Sequence, residues 1–271
     1  MKTPRALEPL IEDGIVDSVL NQLRSGKEAT VYVVDCAGEK RCAKVYKDRE
    51  KRSFQHAARY REGRKSRNSR DARAASRGSR HGRRVQEEEW KSAEANALFQ
   101  LETVGVRVPK PYGVFDGVLL MELICDAEGY PAPRLNEIDM TPEQARDWHR
   151  FMINQIVRML CAGTVHGDLS EYNVLLDADG PVIIDLPQAV QVSGNNNAFD
   201  MLERDVNNMR SLFSRFAPEL AQTQYAREMW DSYLRAELTP QTVLSGQFAE
   251  DTQAADPVSY THLRAHETSL H

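Results

Sequence analysis

The stretch 166-HGDLSEYNVLLDADGPVIIDL-186 places two acidic residues and an amide around two short apolar runs. Val174 to Leu176 reads as a strand, Asp177-Ala-Asp-Gly as a turn, and Val182 to Ile184 as the returning strand. In such a hairpin the residue before the first strand and the residue after the second lie side by side. Asn173 and Asp185 hold those positions, so an amide oxygen and a carboxylate face one point. Both are hard oxygen ligands of the kind Mg²⁺ takes alongside phosphate. Asp168, on the loop that leads into the hairpin, is within reach to accept a proton from a hydroxyl. The set points to phosphoryl transfer, with Asp168 as base and Asn173 and Asp185 as metal ligands. Any one of these residues alone is equally an ordinary turn or cap residue.

The chain ahead of this hairpin reads as two lobes. Residues 19–48, "VLNQLRSGKEATVYVVDCAGEKRCAKVYKD", predict three short strands, with Val31–Val34 and Cys42–Tyr46 paired across a turn at Asp35–Lys40. Lys44 falls on the last of them. "VQEEEWKSAEANALFQLETVGV" has Trp90, Ala93, Ala97, Leu98 and Leu101 at helical spacing and predicts a helix ending near Gly105, with Glu94 on it. A strand Lys followed by a helix Glu is the order that holds the α- and β-phosphates in protein kinases. "VPKPYGVFDGVLLMELI" predicts two more strands that turn at Asp116-Gly117. Thr141-Pro-Glu-Gln144 reads as a capping box opening a core helix through Trp148, Phe151, Met152, Ile156 and Leu160 to Gly163. The segments around 198–216 and 226–238 are helical by apolar spacing. The fold class expected is α+β and two-lobed, kinase-like, with a small antiparallel sheet plus helix in the N-lobe and a mainly helical C-lobe. The boundaries read as an N-terminal extension over 1–19, an N-lobe over 20–124, a C-lobe over 125–250 and a tail over 251–271.

The 271 residues are 41% hydrophobic, enough for one large core or two modest ones. No run approaches the roughly 18 apolar residues of a membrane span, and the first residues lack the apolar centre of a secretory signal, so a cytoplasmic protein with no membrane partner is expected. The four cysteines have neither zinc nor disulfide-framework spacing. From Lys47 to Arg84 there are fifteen Lys or Arg against four Asp or Glu, a local +11 in a chain of net charge −5. The block lacks apolar periodicity and predicts a flexible basic loop over about 48–84, able to pair with phosphates.

These motifs together resemble the RIO family of atypical protein kinases over roughly Leu20 to Arg215. "SGKEATVY" is similar to that family's phosphate-binding loop, "WKSAEANAL" to its Glu-bearing helix, "HGDLSEYNVL" and "IIDLPQAV" to its catalytic and metal-binding loops, and "ERDVNNMRSLF" to the helix after them. The room before Leu20 is too short for the winged-helix domain of the second subfamily, which directs the resemblance to the first subfamily or its bacterial relatives. It implies ATP and Mg²⁺ (or Mn²⁺) bound between the lobes, with serine/threonine kinase or ATPase activity and a protein substrate left unnamed. Ser25, Gly26, Lys27, Glu28, Ala29 and Thr30 are then expected at the triphosphate, Lys44 paired with Glu94, Met121 behind the adenine, and Glu122 to Ile124 at the hinge. Asp185 is also implied as the acceptor of a transient phosphate. Relatives act in small-subunit ribosome maturation, which makes ribosomal RNA an expected partner of the Arg-rich loop.

Two other readings compete. Small-molecule phosphotransferases of the aminoglycoside-kinase type share "HGD" with Asn five residues after the Asp. A nucleotide-gated module that docks on RNA through the basic loop needs no kinase activity, and its RNA affinity would fall steeply with salt. The last residues, "DPVSYTHLRAHETSLH", break composition with what precedes them, resemble translated adapter sequence, and are set aside from the fold.

Overall fold

The structure, a computed structural model, describes residues 3–47 and 93–248. The basic block, Trp90 and the C-terminal tail lie outside the described residues, so the expectations placed on them are not addressed by it.

Period-two patterning builds the first lobe. Strands β1 (Ser18–Ser25), β2 (Ala29–Cys36), β3 (Glu39–Tyr46), β4 (Pro111–Phe115) and β5 (Val118–Glu122) form one sheet in the order β1-β2-β3-β5-β4, antiparallel throughout. Alternate residues of β2 and β3 face opposite sides. Val34, Cys36 and Ala43 pack outward with Leu7, Leu10 and Val16, while Val33 and Cys42 pack inward with Leu123, flanked by Val31 and Met121. The outer face is therefore covered by a 3₁₀ turn at Arg5–Leu7 and the short helix α1 (Glu8–Glu12). Burying Leu7 and Leu10 completely is worth about 1.5–3 kcal/mol each. The boundary expected at residue 20 falls inside β1. A five-residue helix is shorter than two turns and leaves no period to read in sequence. Helix α2, residues 93–103, lies behind the sheet with Leu98 and Leu101 buried.

The second lobe is built on helix α3 (Pro142–Cys161), opened as expected by Thr141. Its hydroxyl accepts from the Gln144 N–H at 3.2 Å and the Gln144 side chain accepts from the Thr141 N–H at 2.9 Å. Met152, Ile156 and Leu160 pack with Met209 and Phe213 of helix α4 (Ala198–Phe213) and Met229 of helix α5 (Tyr225–Leu234). Between α3 and α4 run β6 (Thr164–Val165), β7 (Val174–Asp177), β8 (Gly180–Ile183) and β9 (Val190–Gln191). Here β7 pairs with β8 as the expected hairpin and β6 with β9 as a two-residue ladder. The small β6–β9 pair has no signature in sequence, because it is short and joins residues far apart in the chain. No helix among the described residues is long and apolar enough to cross a membrane.

Candidate active site

Lys44 is the centre of the site. In β3 it pairs with Val31 on one side and Leu119 on the other, which leaves its side chain projecting from the inner face of the sheet. Its Nζ donates to Glu94 Oε1 at 2.7 Å and to Asp185 Oδ1 at 2.8 Å. The Tyr46 hydroxyl donates to the other Glu94 oxygen at 2.7 Å. Burial opposes the ammonium, but Glu94 and Asp185 outweigh it and hold the Lys44 pKa above its ordinary value. Asp185 feels the same contest from the other side: burial pushes its carboxyl up, and Lys44 pulls it below the usual range. One sheet residue, one α2 residue and one loop residue of the second lobe thus meet at a single cation.

The hairpin delivers Asp185 as the sequence reading requires. The Ile184 N–H donates to the Asn173 carbonyl at 3.0 Å, one step beyond the Val174–Ile183 pair, so Asn173 and Asp185 flank the same end of the ladder. Asp185 adopts φ +66°, a left-handed conformation costly for a side chain other than Gly and found where surroundings over-determine it. The Asn173 amide donates to the Asp168 carbonyl at 2.9 Å. Asp168 itself is exposed; burial of part of its carboxyl raises its pKa, His166 and Arg204 oppose that, and Asp185 adds to it.

Sequence reading missed the groups that hold this loop in place. Asp205 of α4 is 2% exposed and accepts from the N–H groups of Gly167 at 2.7 Å and Leu169 at 2.9 Å, the residues on either side of Asp168. Gly167 adopts φ +80°, which turns its N–H toward that carboxylate. Arg204 donates to the Gly167 carbonyl and Asn208 to the Leu169 carbonyl at 2.8 Å. His166 is held at both nitrogens: Nδ1 accepts from the Asp168 N–H at 3.2 Å, which leaves Nε2 to donate to the Ile184 carbonyl at 3.1 Å. The available signal for Asp205 was its place on the buried stripe of α4, between Leu202 and Met209, where a carboxylate is out of pattern.

The remaining expected residues are spread along one edge. In the turn between β1 and β2, the Ser25 hydroxyl contacts the Thr30 hydroxyl at 3.2 Å, and Gly26 donates its N–H to the Ala29 carbonyl at 2.9 Å. Lys27 is exposed and Glu28 half-buried. Lys47, which the sequence reading left in the basic block, donates to Ser25 Oγ at 2.8 Å and the Gly26 carbonyl at 2.6 Å. At the other end, Met121 lines the inner face with Val33 and Cys42. Glu122 is engaged with Lys110: its N–H donates to that residue's carbonyl and its carboxylate accepts from that residue's N–H. The Ile124 carbonyl accepts from Ala132. A cleft of about 440 Å³ beside Glu122 and Ile124 is lined also by Arg107, Phe151, Gln155 and Asp177, and touches none of Lys44, Asp168 or Asp185.

The donors available suit a divalent ion of the hard class only with help. Among the described residues no three His, Cys, Asp or Glu side chains form a cage of their own, so an ion at Asn173 and Asp185 requires phosphate oxygens and water to complete its shell.

Comparison with known proteins gives a consistent neighbourhood. The model of the RIO domain matches residues 30–226. The chain is 35% identical over 212 residues to the RIO-type serine/threonine-protein kinase Rio1 of Haloferax volcanii, covering 78% of this chain and 68% of that protein. It is 30% identical over 223 residues to the serine/threonine-protein kinase RIO1 of Homo sapiens, covering 79% of this chain and 36% of that much longer protein. Among solved structures, the Rio2 kinase from Chaetomium thermophilum superposes with a TM-score of 0.58 at 22% identity, over 87% of this chain and 76% of that one. Its ADP/Mg²⁺-phosphoaspartate complex gives 0.54 at 20% identity, over 86% and 74%. At these identities the structural likeness is one of fold.

Proposed function

This chain belongs to the RIO family of atypical serine/threonine protein kinases, and we propose that it transfers the terminal phosphate of ATP to a hydroxyl or to water through the site centred on Lys44. The observation that carries this reading is the convergence of Lys44, Glu94 and Asp185 from three separate elements, with Asp168 alongside. In it, Lys44 neutralises phosphate charge and Glu94 keeps its ammonium aimed into the cleft. Asp168, held by a loop whose amides are tied to Asp205, takes the proton from the incoming hydroxyl. Ser25, Thr30 and the turn from Gly26 to Ala29 face the triphosphate, with Lys47 beside them. Met121 packs against the base. The Ile124 N–H, free of any partner among the described residues, is the hinge donor, since Glu122 is occupied by Lys110. Asn173 and Asp185 would hold Mg²⁺, which supplies charge neutralisation to the transferring phosphate when bound. Mn²⁺ fits the same donors. Asp185, half-exposed beside Lys44, is the side chain suited to accept a transient phosphate.

A cytoplasmic setting and ribosomal RNA contact through the basic block belong to the same reading; they rest on composition, the block lying outside the described residues. The test of the enzyme is Mg²⁺-dependent turnover of labelled ATP by the wild type, Asp168→Asn and Asp185→Asn, resolving free phosphate, phosphoserine and acyl phosphate. Loss of roughly 10²- to 10⁴-fold in both variants is expected, and the form of the label separates kinase from ATPase. A wild type that binds ATP but turns it over no faster than the variants returns the chain to a nucleotide-gated binding module.

A further inference from the structure

Two arginines that the chemistry above does not use lie close in the fold to Lys44 and to the Asn173–Asp185 hairpin. Arg24 of β1 pairs with Val31, and Val31 pairs with Lys44, so the three form one cross-strand row on the same face of the sheet. With strands about 4.8 Å apart, Arg24 stands two spacings, roughly 10 Å, from Lys44. Arg134 comes from the other lobe. It forms a bridge with Leu175, and the Leu176 N–H donates to the Pro133 carbonyl at 2.9 Å, which lays Arg134 along the edge of β7 opposite β8, two residues along that strand from Asn173. Its charge acts on Asp185, and the charge of Arg24 acts on it: burial first, then Arg24, lower the Arg134 pKa. Neither guanidinium has an ion-pair partner among the described residues; the nearby Glu137 accepts the Arg134 backbone N–H.

Two like charges from opposite lobes, within range for one to act on the other, repel each other as they stand. A shared oxyanion between them reverses that sign and gains charge-assisted hydrogen bonds to both planar donors. We propose that Arg24 and Arg134 are the two jaws of a phosphate-oxyanion site, one from each lobe, beside the reacting carboxylates. The ligand is a phosphate group, either the terminal one of the nucleotide or one carried by the acceptor. The first source rests on the phosphotransfer reading; the site itself does not.

The test uses the full chain as wild type, Arg24→Gln, Arg134→Gln and the double variant. Arg24 is exposed and Arg134 only partly buried, and without anion the melting temperatures of the variants should match or exceed that of the wild type, because a repulsion has been removed. Inorganic tripolyphosphate is expected to bind the wild type and to lose roughly ten- to hundredfold in affinity in each variant. The basic block is common to all four proteins, so the difference between them reports the jaws alone. If the phosphate is the nucleotide's, Mg-ATP affinity falls by the same factor while Mg-ADP affinity holds. If it is the acceptor's, both nucleotides hold, and inorganic phosphate binds wild type loaded with a non-hydrolysable ATP analogue but not the loaded variants. Variants that bind tripolyphosphate, ATP and phosphate as tightly as the wild type overturn the proposal. Arginine-dependent tripolyphosphate binding in a protein that never turns over ATP would sink the kinase reading and leave this site standing.

Discussion

Lys44 and Asp205 are both charged groups with little access to water, one in each lobe, and their charges are held by different means. Lys44 sits between two carboxylates, whose attraction exceeds the cost of burial and keeps it ionised. Burial pushes the pKa of Asp205 up to about 6 against the charge of His166, the N–H groups of Leu169 and Gly167 and, last, the charge of Arg204. Two opposite charges in direct contact therefore secure an ionic state against pH, whereas amide hydrogen bonds and charges that form no ion pair with the group leave it titratable near neutrality. His149 of α3 completes the series. It is 1% exposed, its Nε2 has no partner among the described residues, its ring lies against Phe213 and Tyr225, and burial pushes its pKa down to about 4.

The hardest way to break this contrast is to remove Glu94. Glu94→Ala leaves Lys44 with one carboxylate and the Tyr46 hydroxyl without its acceptor, and is expected to cost roughly 3–5 kcal/mol in urea unfolding. Lys44→Met combined with Glu94→Leu should recover a large part of that loss while leaving ATP turnover abolished. If Glu94→Ala unfolds like the wild type, the ion pair is not what orders the two elements.

The two titrating groups sharpen the comparison, because their signs oppose. The folded-state pKa of His149 lies below its unfolded value, so its contribution is fully present above about pH 6.5 and is lost as pH falls toward 4. That of Asp205 lies above its unfolded value, so its contribution is present below about pH 3.8 and is lost as pH rises through 6. Each amounts to roughly 3 kcal/mol at most. In chemical unfolding between pH 7 and 4, His149→Gln should gain stability relative to the wild type as pH falls, and Asp205→Asn should lose it. Parallel curves for all three proteins would mean that neither group titrates in this window.

The smallest effect concerns neither charge. Thr141→Ala removes only the cap of α3 and should cost about 1 kcal/mol at every pH, lowering the melting temperature without changing ATP affinity.

What the sequence by itself determined was whatever depends on neighbours in the chain. The alternation in β2 and β3, the Asp116-Gly117 turn, the capping box at Thr141 and the Asn173–Asp185 hairpin are all short-range patterns, legible because side-chain direction follows from local backbone period. The order strand Lys, helix Glu, Asp–x₄–Asn, Asp was legible too, and named the residues worth locating. Only the tertiary structure decided the rest. That Asp205 grips the Asp168 loop depends on contacts 36 and 38 residues apart in the chain. That Lys47 belongs to the Ser25 turn depends on where β3 ends. Arg24 stands in one row with Lys44 because the register of β1 on β2, interrupted by irregularities at Val19/Asn21 and Gln22/Arg24, sets its face. An irregularity in register moves a side chain from one face of a strand to the other, and the sequence contains no local signal of it.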